Sequence, residues 1–454
     1  MACKLKNFII LKLNRYKALL LYFLTIGLTV GAKSFSDAET TELVSIMKRS
    51  NTKYVIRYPH HFKDTLFVPS NCELFFKGGS LSGPIVFQNT KLSGDVNLKG
   101  SSVSGTINNK WVNAQWLCYA DGITDDAKNI NELIEICGNI IFAKGRYRLI
   151  SSFDFNGVEP SDCTVKLMSH IGIGRSNVIL KGREGATFVT DVPICTICAF
   201  TPPGMIDSSI HDISICNLTF EVHNNGRSFH EFSHSIKLVG VDGVLIKKCT
   251  FNDFWGDAIC FSSYNDSPDT GERTRNQNAK ILNNVIIGGD HHNNRNGISI
   301  VSGKNILISG NLIKSTSRKD MPGGIDIEPN NSAYTITDII IKNNDLEGIK
   351  GGCGAICVVA YKGGPAHDIS IIGNRIRKSN NGLFIYIKTN NTTGNFLIEK
   401  NFIDAETRSY KFEGSGTSNG WIITNNKFEY PSLQNIPGDI NVQNLIVKNN
   451  KKKG

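Results

Sequence analysis

The segment GGIDIEPN puts Asp326 and Glu328 two residues apart. In an extended strand that spacing sends both carboxyls to one face, with Cα atoms roughly 6.5–7 Å apart. Two acids held so close do not ionise independently. One keeps its proton to higher pH, the electrostatic basis of an acid/base pair. The spacing falls near the low end of the roughly 6.5–9.5 Å that inverting glycosidases leave between their carboxyls. Segments of similar pattern precede it: RNGISI carries Arg295, Asn296 and Ser299, and GDAICF carries Asp257. Stacked in order, they set Asp257, Arg295, Asp326 and Glu328 beside one another. These four are the candidate catalytic residues, with Arg295 positioning substrate or tuning a pKa. Candidate substrate contacts are Ser299, Lys304, His291 and His292 in the preceding loop, and Trp255, Tyr361 and Tyr386, whose faces suit pyranose C–H surfaces. Bland readings compete: ion pairs of Asp326 and Glu328 with Arg295 and nearby lysines on a solvated face, a turn cap at Asp257, a plain exposed loop at His291 and His292, and burial of the aromatic rings between coils.

What would stack these segments is a repeat. The pattern I-x-x-N-x-[I/L/F] recurs as ILNNVI, ISGNLI, IKNNDL, IIGNRI, IEKNFI and ITNNKF. Upstream, Leu218 and Cys249 stand in the Asn place, followed by Asn284, Asn311, Asn344, Asn374, Asn401, Asn426 and Asn450, at steps of 24 to 35 residues. A period of that size denotes a solenoid. Apolar alternation within each repeat predicts strands, and two short strands and a turn per repeat predict a parallel β-helix with coils about 4.8 Å apart. An amide turned inward at each bend can bond to backbone and to the Asn of the next coil, so these asparagines are structural. The second strand recurs as DAICF, NGISI, GGIDI, GAICV and NGLFI. Alternation points Cys260, Ser299, Asp326, Cys357 and Phe384 outward.

Residues 66–107 repeat LSG, LSG and VSG at 11-residue spacing, a small β-rich piece at the solenoid's open end. In DGITDDAKNINELIEICG, Thr124 is placed to cap a helix over about 125–137, with Ile130, Leu133, Ile134 and Cys137 on its apolar face and Gly138 ending it. Strands around Ile140–Phe142 and Arg146–Ile150 follow. Such a helix can plug a solenoid end.

The DGITDD…G-x-I-x-F-x-x-G-x-Y entry followed by parallel coils resembles the pectate-lyase/polygalacturonase (pectin lyase-like) superfamily of right-handed β-helices, over roughly residues 116–450. RNGISIVSGKNILISGN…GGIDIEPN is similar to bacterial and phage β-helix proteins mostly associated with polysaccharides. The resemblance implies an exported, glycan-acting protein. It departs from polygalacturonases where their chemistry sits. Those enzymes follow an aspartate-rich strand with Gly-His-Gly and Arg-x-Lys strands. Here Asp257 stands for one acid, Asn296 replaces the His, and Asp326 and Glu328 replace the Arg and Lys.

The expected architecture is therefore all-β: a right-handed parallel β-helix over 116–454, a β-rich N-terminal cap over 33–115 with one short capping helix, and a signal peptide over 1–32. That leader carries Lys4, Lys6, Lys12, Arg15 and Lys17, then ALLLYFLTIGLTVGA, whose Val30 and Ala32 suit cleavage after Ala32. No other segment is long and apolar enough to span a bilayer, so no stable span is expected after cleavage. The formal charge of +10 concentrates in the leader and in Lys448, Lys451, Lys452 and Lys453. The body is nearly neutral, which speaks against a nucleic-acid partner. Of 12 cysteines, Cys195 and Cys198 form a lone CxxC without zinc-ribbon partners, read as buried core thiols.

Three functions remain open. A glycoside hydrolase using Asp326 and Glu328 needs no cofactor. A polysaccharide lyase on a uronate polymer would hold Ca²⁺ with Asp257, Asp326 and Glu328, and use Arg295 or Lys304 as base. A non-catalytic glycan-binding or adhesin-like solenoid would use the same face for recognition. In each reading the partner is a polysaccharide; the sequence leaves oligomeric state open.

Overall fold

The computed structural model describes residues 43–153, 155, 168–201, 210–223, 230–263, 275–288, 295–316, 321–330, 334–360, 364–388, 392–428 and 440–452. From residue 139 onward the chain winds as a parallel β-helix. One coil shows its logic: strand Gly303–Ser309, a bend at Gly310 and Asn311, strand Leu312–Ser315, and strand Gly323–Ile327. Each strand pairs in parallel with its counterpart one coil on. A coil thus has three strands rather than the two expected. The ladder motif spans the end of one strand, a bend and the start of the next, which a linear pattern cannot separate.

Stacking in register lines up like residues. Ile306, Ile339, Ile369 and Phe396 form one buried column, and Ile313, Leu346, Ile376 and Ile403 form another. Each side chain buries its apolar surface against the coils on either side, and every inner backbone edge is paired.

The bend has a two-residue solution. The first residue is left-handed: Asn283, Asn343, Lys400 and Asn425 have φ of 54–57°, and Gly310 and Gly373 take the same place in other coils. Asn and Gly are the residues that tolerate that region, hence the recurring N-N and G-N pairs. The second residue is the ladder Asn. Asn344 Nδ2 donates to Oδ1 of Asn374 at 2.9 Å and to the Ile308 carbonyl at 3.0 Å. The same bonds run from Asn284 to Asn450. At Cys249 the ladder ends: its N–H still bonds Asn284 Oδ1, while its thiol donates to the Ile215 carbonyl.

Residues 53–107 form a smaller parallel coil of their own. Lys53 pairs Glu73, Glu73 pairs Lys91, and Gly83 pairs Ser101. A turn of this stack takes 18–20 residues by those registers, so the 11-residue spacing marks successive bends and not the coil. Gly94 shows why glycine is needed there: φ is +79° and an added Cβ would stand 2.1 Å from the Phe76 carbonyl oxygen of the coil below.

Between the two stacks lies the helix Ala127–Ile136, with Ile130, Leu133 and Ile134 buried and Gly138 at φ +81° behind it. It starts two residues later than expected and Thr124 is not its cap. The Thr124 hydroxyl donates to Asp121, and Asp125 accepts the Ala127 N–H. Asp126 accepts the N–H groups of Tyr119 and Ala120, so the acids of DGITDD serve to fold the entry segment. Glu132 reaches back to the smaller stack, accepting from Ser102 and the Val103 N–H. Among the described residues the cysteines are all free thiols, Cys195 and Cys198 are buried, and no helix is long and apolar enough to cross a membrane. The leader lies outside the described residues.

Candidate functional site

The third strand of successive coils carries the site: β1 (Cys195–Phe200), β2 (Ile236–Val239), β3 (Ile259–Ser262), β4 (Ile298–Ile300), β5 (Gly323–Ile327), β6 (Gly354–Ala360), β7 (Arg375–Ile387) and β8 (Phe402–Glu413). Their register aligns Cys198, Lys237, Cys260, Ser299, Asp326, Cys357, Phe384 and Lys411 in one outward column. Cys260, Ser299, Asp326, Cys357 and Phe384 were expected in it. What the sequence does not show is that most of this column is buried. Segment His230–Ser235 packs beside the start of β1, where the Phe232 carbonyl accepts from Cys195 and the Ser233 hydroxyl donates to the Pro193 carbonyl.

Asp326 is only 5% exposed, so the solvated-face reading fails for it. Asn296 Nδ2 donates to its Oδ2 at 2.8 Å and the Cys357 thiol donates to its Oδ1 at 3.0 Å. Burial, and next the charge of Glu328, push the Asp326 carboxyl well above the usual carboxylate range. Glu328, just past β5, is half-buried. The pair is thus asymmetric in burial, and the Asp326 carboxyl holds a proton to higher pH than an ordinary carboxylate.

The Arg295 guanidinium bonds Glu231 at 3.0 Å, within electrostatic reach of Asp257, Asp326 and Glu328. Its Nε, Asn296 Oδ1 and Trp255 Nε1 are buried without hydrogen-bond partners. Ser299 Oγ receives a 3.2 Å bond from Asn296 Nδ2.

Asp257 is buried one row earlier. Its Oδ1 accepts the Asn296 N–H at 2.8 Å, a link to the next coil rather than a cap of its own turn. Its Oδ2 lies 3.3 Å from His234 Nδ1, which also accepts the Asp257 N–H at 3.0 Å. Burial raises Asp257 to about 6, against the pull of Arg295, and burial with the nearby Lys237 and Arg295 charges holds His234 neutral. The contact is therefore not an ordinary ion pair. His234 was missed, although HSIKL aligns with DAICF if the second-strand repeat is carried one coil upstream. Cys260 joins these two: the donor atoms of His234, Asp257 and Cys260 all lie within 4.8 Å of one another.

Other candidates fall elsewhere. Lys304 sits on the strand Gly303–Ser309 in a different sheet, aligned with Gln277 and Thr337, and lines an open groove with Asn278, Asn305 and Asp338. It cannot be a base beside Asp326. Trp255 is 1% exposed, with its ring against His230 at 5.4 Å, so burial wins over stacking on a ligand. Tyr386 is half-buried beside Phe384, at 6.4 Å between rings. Phe384 lies two coils, about 9.6 Å, beyond Asp326 along the column. His291, His292 and Tyr361 lie outside the described residues. The oxygen set Asp257, Asp326 and Glu328 does not converge: Asp257 and Asp326 are two coils apart with Asn296 between them, too far to share a cation whose oxygen ligands stand at about 2.3–2.6 Å.

No family model matches the chain, and no curated protein matches it. Among solved structures it is similar to the Streptococcus pneumoniae surface protein and adhesin PfbA, at 14% identity and TM-score 0.42 over 76% of this chain and 99% of that one. It is also similar to the Yersinia enterocolitica family 28 exopolygalacturonase, at 12% identity and TM-score 0.45 over 76% and 77%. A PL6 alginate lyase in complex with a trisaccharide aligns at 11% identity and TM-score 0.40 over 86% and 84%. Its parallel coils make the chain a parallel β-helix, the fold expected from its sequence.

Proposed function

We propose that this protein is an exported polysaccharide-acting enzyme, a glycoside hydrolase in which Asp326 is the general acid and Glu328 the general base. The observation that carries this reading is the asymmetry of the pair: one strand presents a buried carboxyl whose pKa burial pushes up and, two residues on, a half-buried one. Asp326 gives its proton to the glycosidic oxygen as the C–O bond breaks. The water that attacks the anomeric carbon gives a proton to Glu328, and exchange with solvent restores both groups. Arg295 supplies positive charge beside the pair. Phe384 and Tyr386 offer a sugar-stacking surface further along the same column. The leader, with its basic start and short apolar run, supports export.

The test is product analysis of the purified chain against a panel of glycans, with and without chelator, beside Asp326→Asn and Glu328→Gln. New reducing ends without unsaturated uronates, lost in both variants, are expected. Chelator-sensitive unsaturated ends would replace this reading with a lyase. A polymer that is retained but never cut would leave the acidic strand as a recognition surface.

A further inference from the structure

We infer that His234, Asp257 and Cys260 form a site for one borderline divalent transition metal of the zinc class, separate from the Asp326/Glu328 pair. The three come from two adjacent coils: His234 just ahead of β2, Asp257 just ahead of β3, and Cys260 within it. Each is buried, and their nitrogen, oxygen and sulfur donors lie within 4.8 Å of one another. Mixed N/O/S donors select zinc or cobalt over calcium or magnesium, which take oxygen.

Two further observations favour a cation here. First, His234 Nδ1 already faces the Asp257 N–H, so no ring proton is directed at Asp257 Oδ2, 3.3 Å away. Two electron-rich atoms at that distance call for a proton or a metal cation between them. Ligands about 2.0–2.1 Å from a tetrahedral metal stand at such a separation, and the ring would give up its contact with the N–H to bind. Second, Lys237 lies next to Cys260 in the outward column, 5% exposed. Its positive charge favours the Cys260 thiolate formed when a metal displaces the thiol proton. Cys195, whose thiol bonds the Phe232 carbonyl on the neighbouring coil, lies within electrostatic reach of Cys260.

The experiment uses the full folded chain. Metal content is measured by mass spectrometry after purification without chelator, and the stripped protein is titrated with Zn²⁺ and with Co²⁺. Roughly one equivalent of metal and a near-ultraviolet thiolate-to-cobalt band are expected. Cys260→Ser should lose the band and weaken binding by more than the roughly 10–100-fold seen for outer-shell changes. His234→Ala should weaken binding likewise. Cys198→Ser, a buried thiol of the same column outside the trio, should keep the band. Melting curves of the metal-free variants show which are folded. A folded wild-type chain that takes up neither metal overturns the site, as does a Cys260→Ser spectrum identical to that of Cys198→Ser. The outcome is independent of glycan hydrolysis, because Asp326→Asn retains all three ligands.

Discussion

The Cys357 thiol donates a 3.0 Å hydrogen bond to Oδ1 of Asp326 from the following coil, while Asn296 of the preceding coil holds Oδ2 at 2.8 Å. The acid is thus oriented by both neighbours in the stack, one of them a thiol that opposes the effect of burial. Burial and Glu328 raise the Asp326 pKa; the Cys357 bond lowers it.

That opposition gives a signed prediction for catalysis. Activity that needs a protonated Asp326 falls as pH rises through its raised pKa. Cys357→Ala removes the donor, so the basic limb of the kcat/KM profile should move to higher pH, with the acidic limb in place. A basic limb that shifts down or stays fixed would separate Asp326 from the acid role.

Asp326 also links stability to pH. A carboxyl whose folded pKa is raised binds its proton more tightly when folded, so its contribution is complete below the unfolded value of about 3.9 and is lost as pH rises through the folded value. Asp326→Asn, which cannot ionise, should match the wild type near pH 4 and be the more stable of the two at pH 8. Denaturant midpoints across that range check it. A variant less stable than wild type at pH 8 would show the ionised carboxylate to be well solvated in the folded protein.

Fold and site were unequally legible. The asparagine ladder is readable because each coil needs the same side chain at the same bend, so Asn284 to Asn450 recur in sequence. One strand of each coil was hidden because the motif runs across the two-residue bend that separates the first strand, such as Gly303–Ser309, from the second, such as Leu312–Ser315. The outward direction of Asp326 follows from alternation alone. Its burial does not, because it depends on side chains of the neighbouring coils closing around it, Asn296 and Cys357 among them, and that packing leaves no periodic trace. His234 escaped for a related reason: it precedes its strand, where spacing is irregular, and only register with Asp257 reveals it.

Surface electrostatics supply an acid-side test. Arg146 makes two 2.9 Å bonds to Glu221, and His223 Nε2 adds a third at 2.6 Å. The Arg146 bonds, chiefly, hold Glu221 down at about 2. A depressed carboxylate contributes stability that is present above its unfolded pKa and lost as pH falls through the folded one. The Arg146 side chain is 49% exposed, so solvent screening limits the pair to about 1 kcal/mol or less. Glu221→Gln should be slightly less stable at pH 7, with the gap closing between about pH 4.3 and pH 2. A gap unchanged at pH 2 would mean the loss is one of packing.

The ladder predicts the largest effect on stability. Asn344 is 2% exposed, and replacing it by Ala does more than delete its own bonds to Ile308 and Asn374. Asn344 Oδ1 also accepts the Asn311 N–H and Asn311 Nδ2, each at 2.9 Å, and both donors would be stranded in the interior. With buried unsatisfied groups costing about 1–3 kcal/mol each, Asn344→Ala should lose on the order of 3 kcal/mol or more. Asn450, at the last described coil, accepts the Asn426 N–H and Nδ2 and donates to the Ile423 carbonyl where water has access, since it is half-buried. Asn450→Ala should therefore cost clearly less, because water can satisfy what the amide leaves behind. Urea midpoints of the two variants decide the matter. Equal losses would show that the ladder's strength lies in the amides themselves and not in their burial.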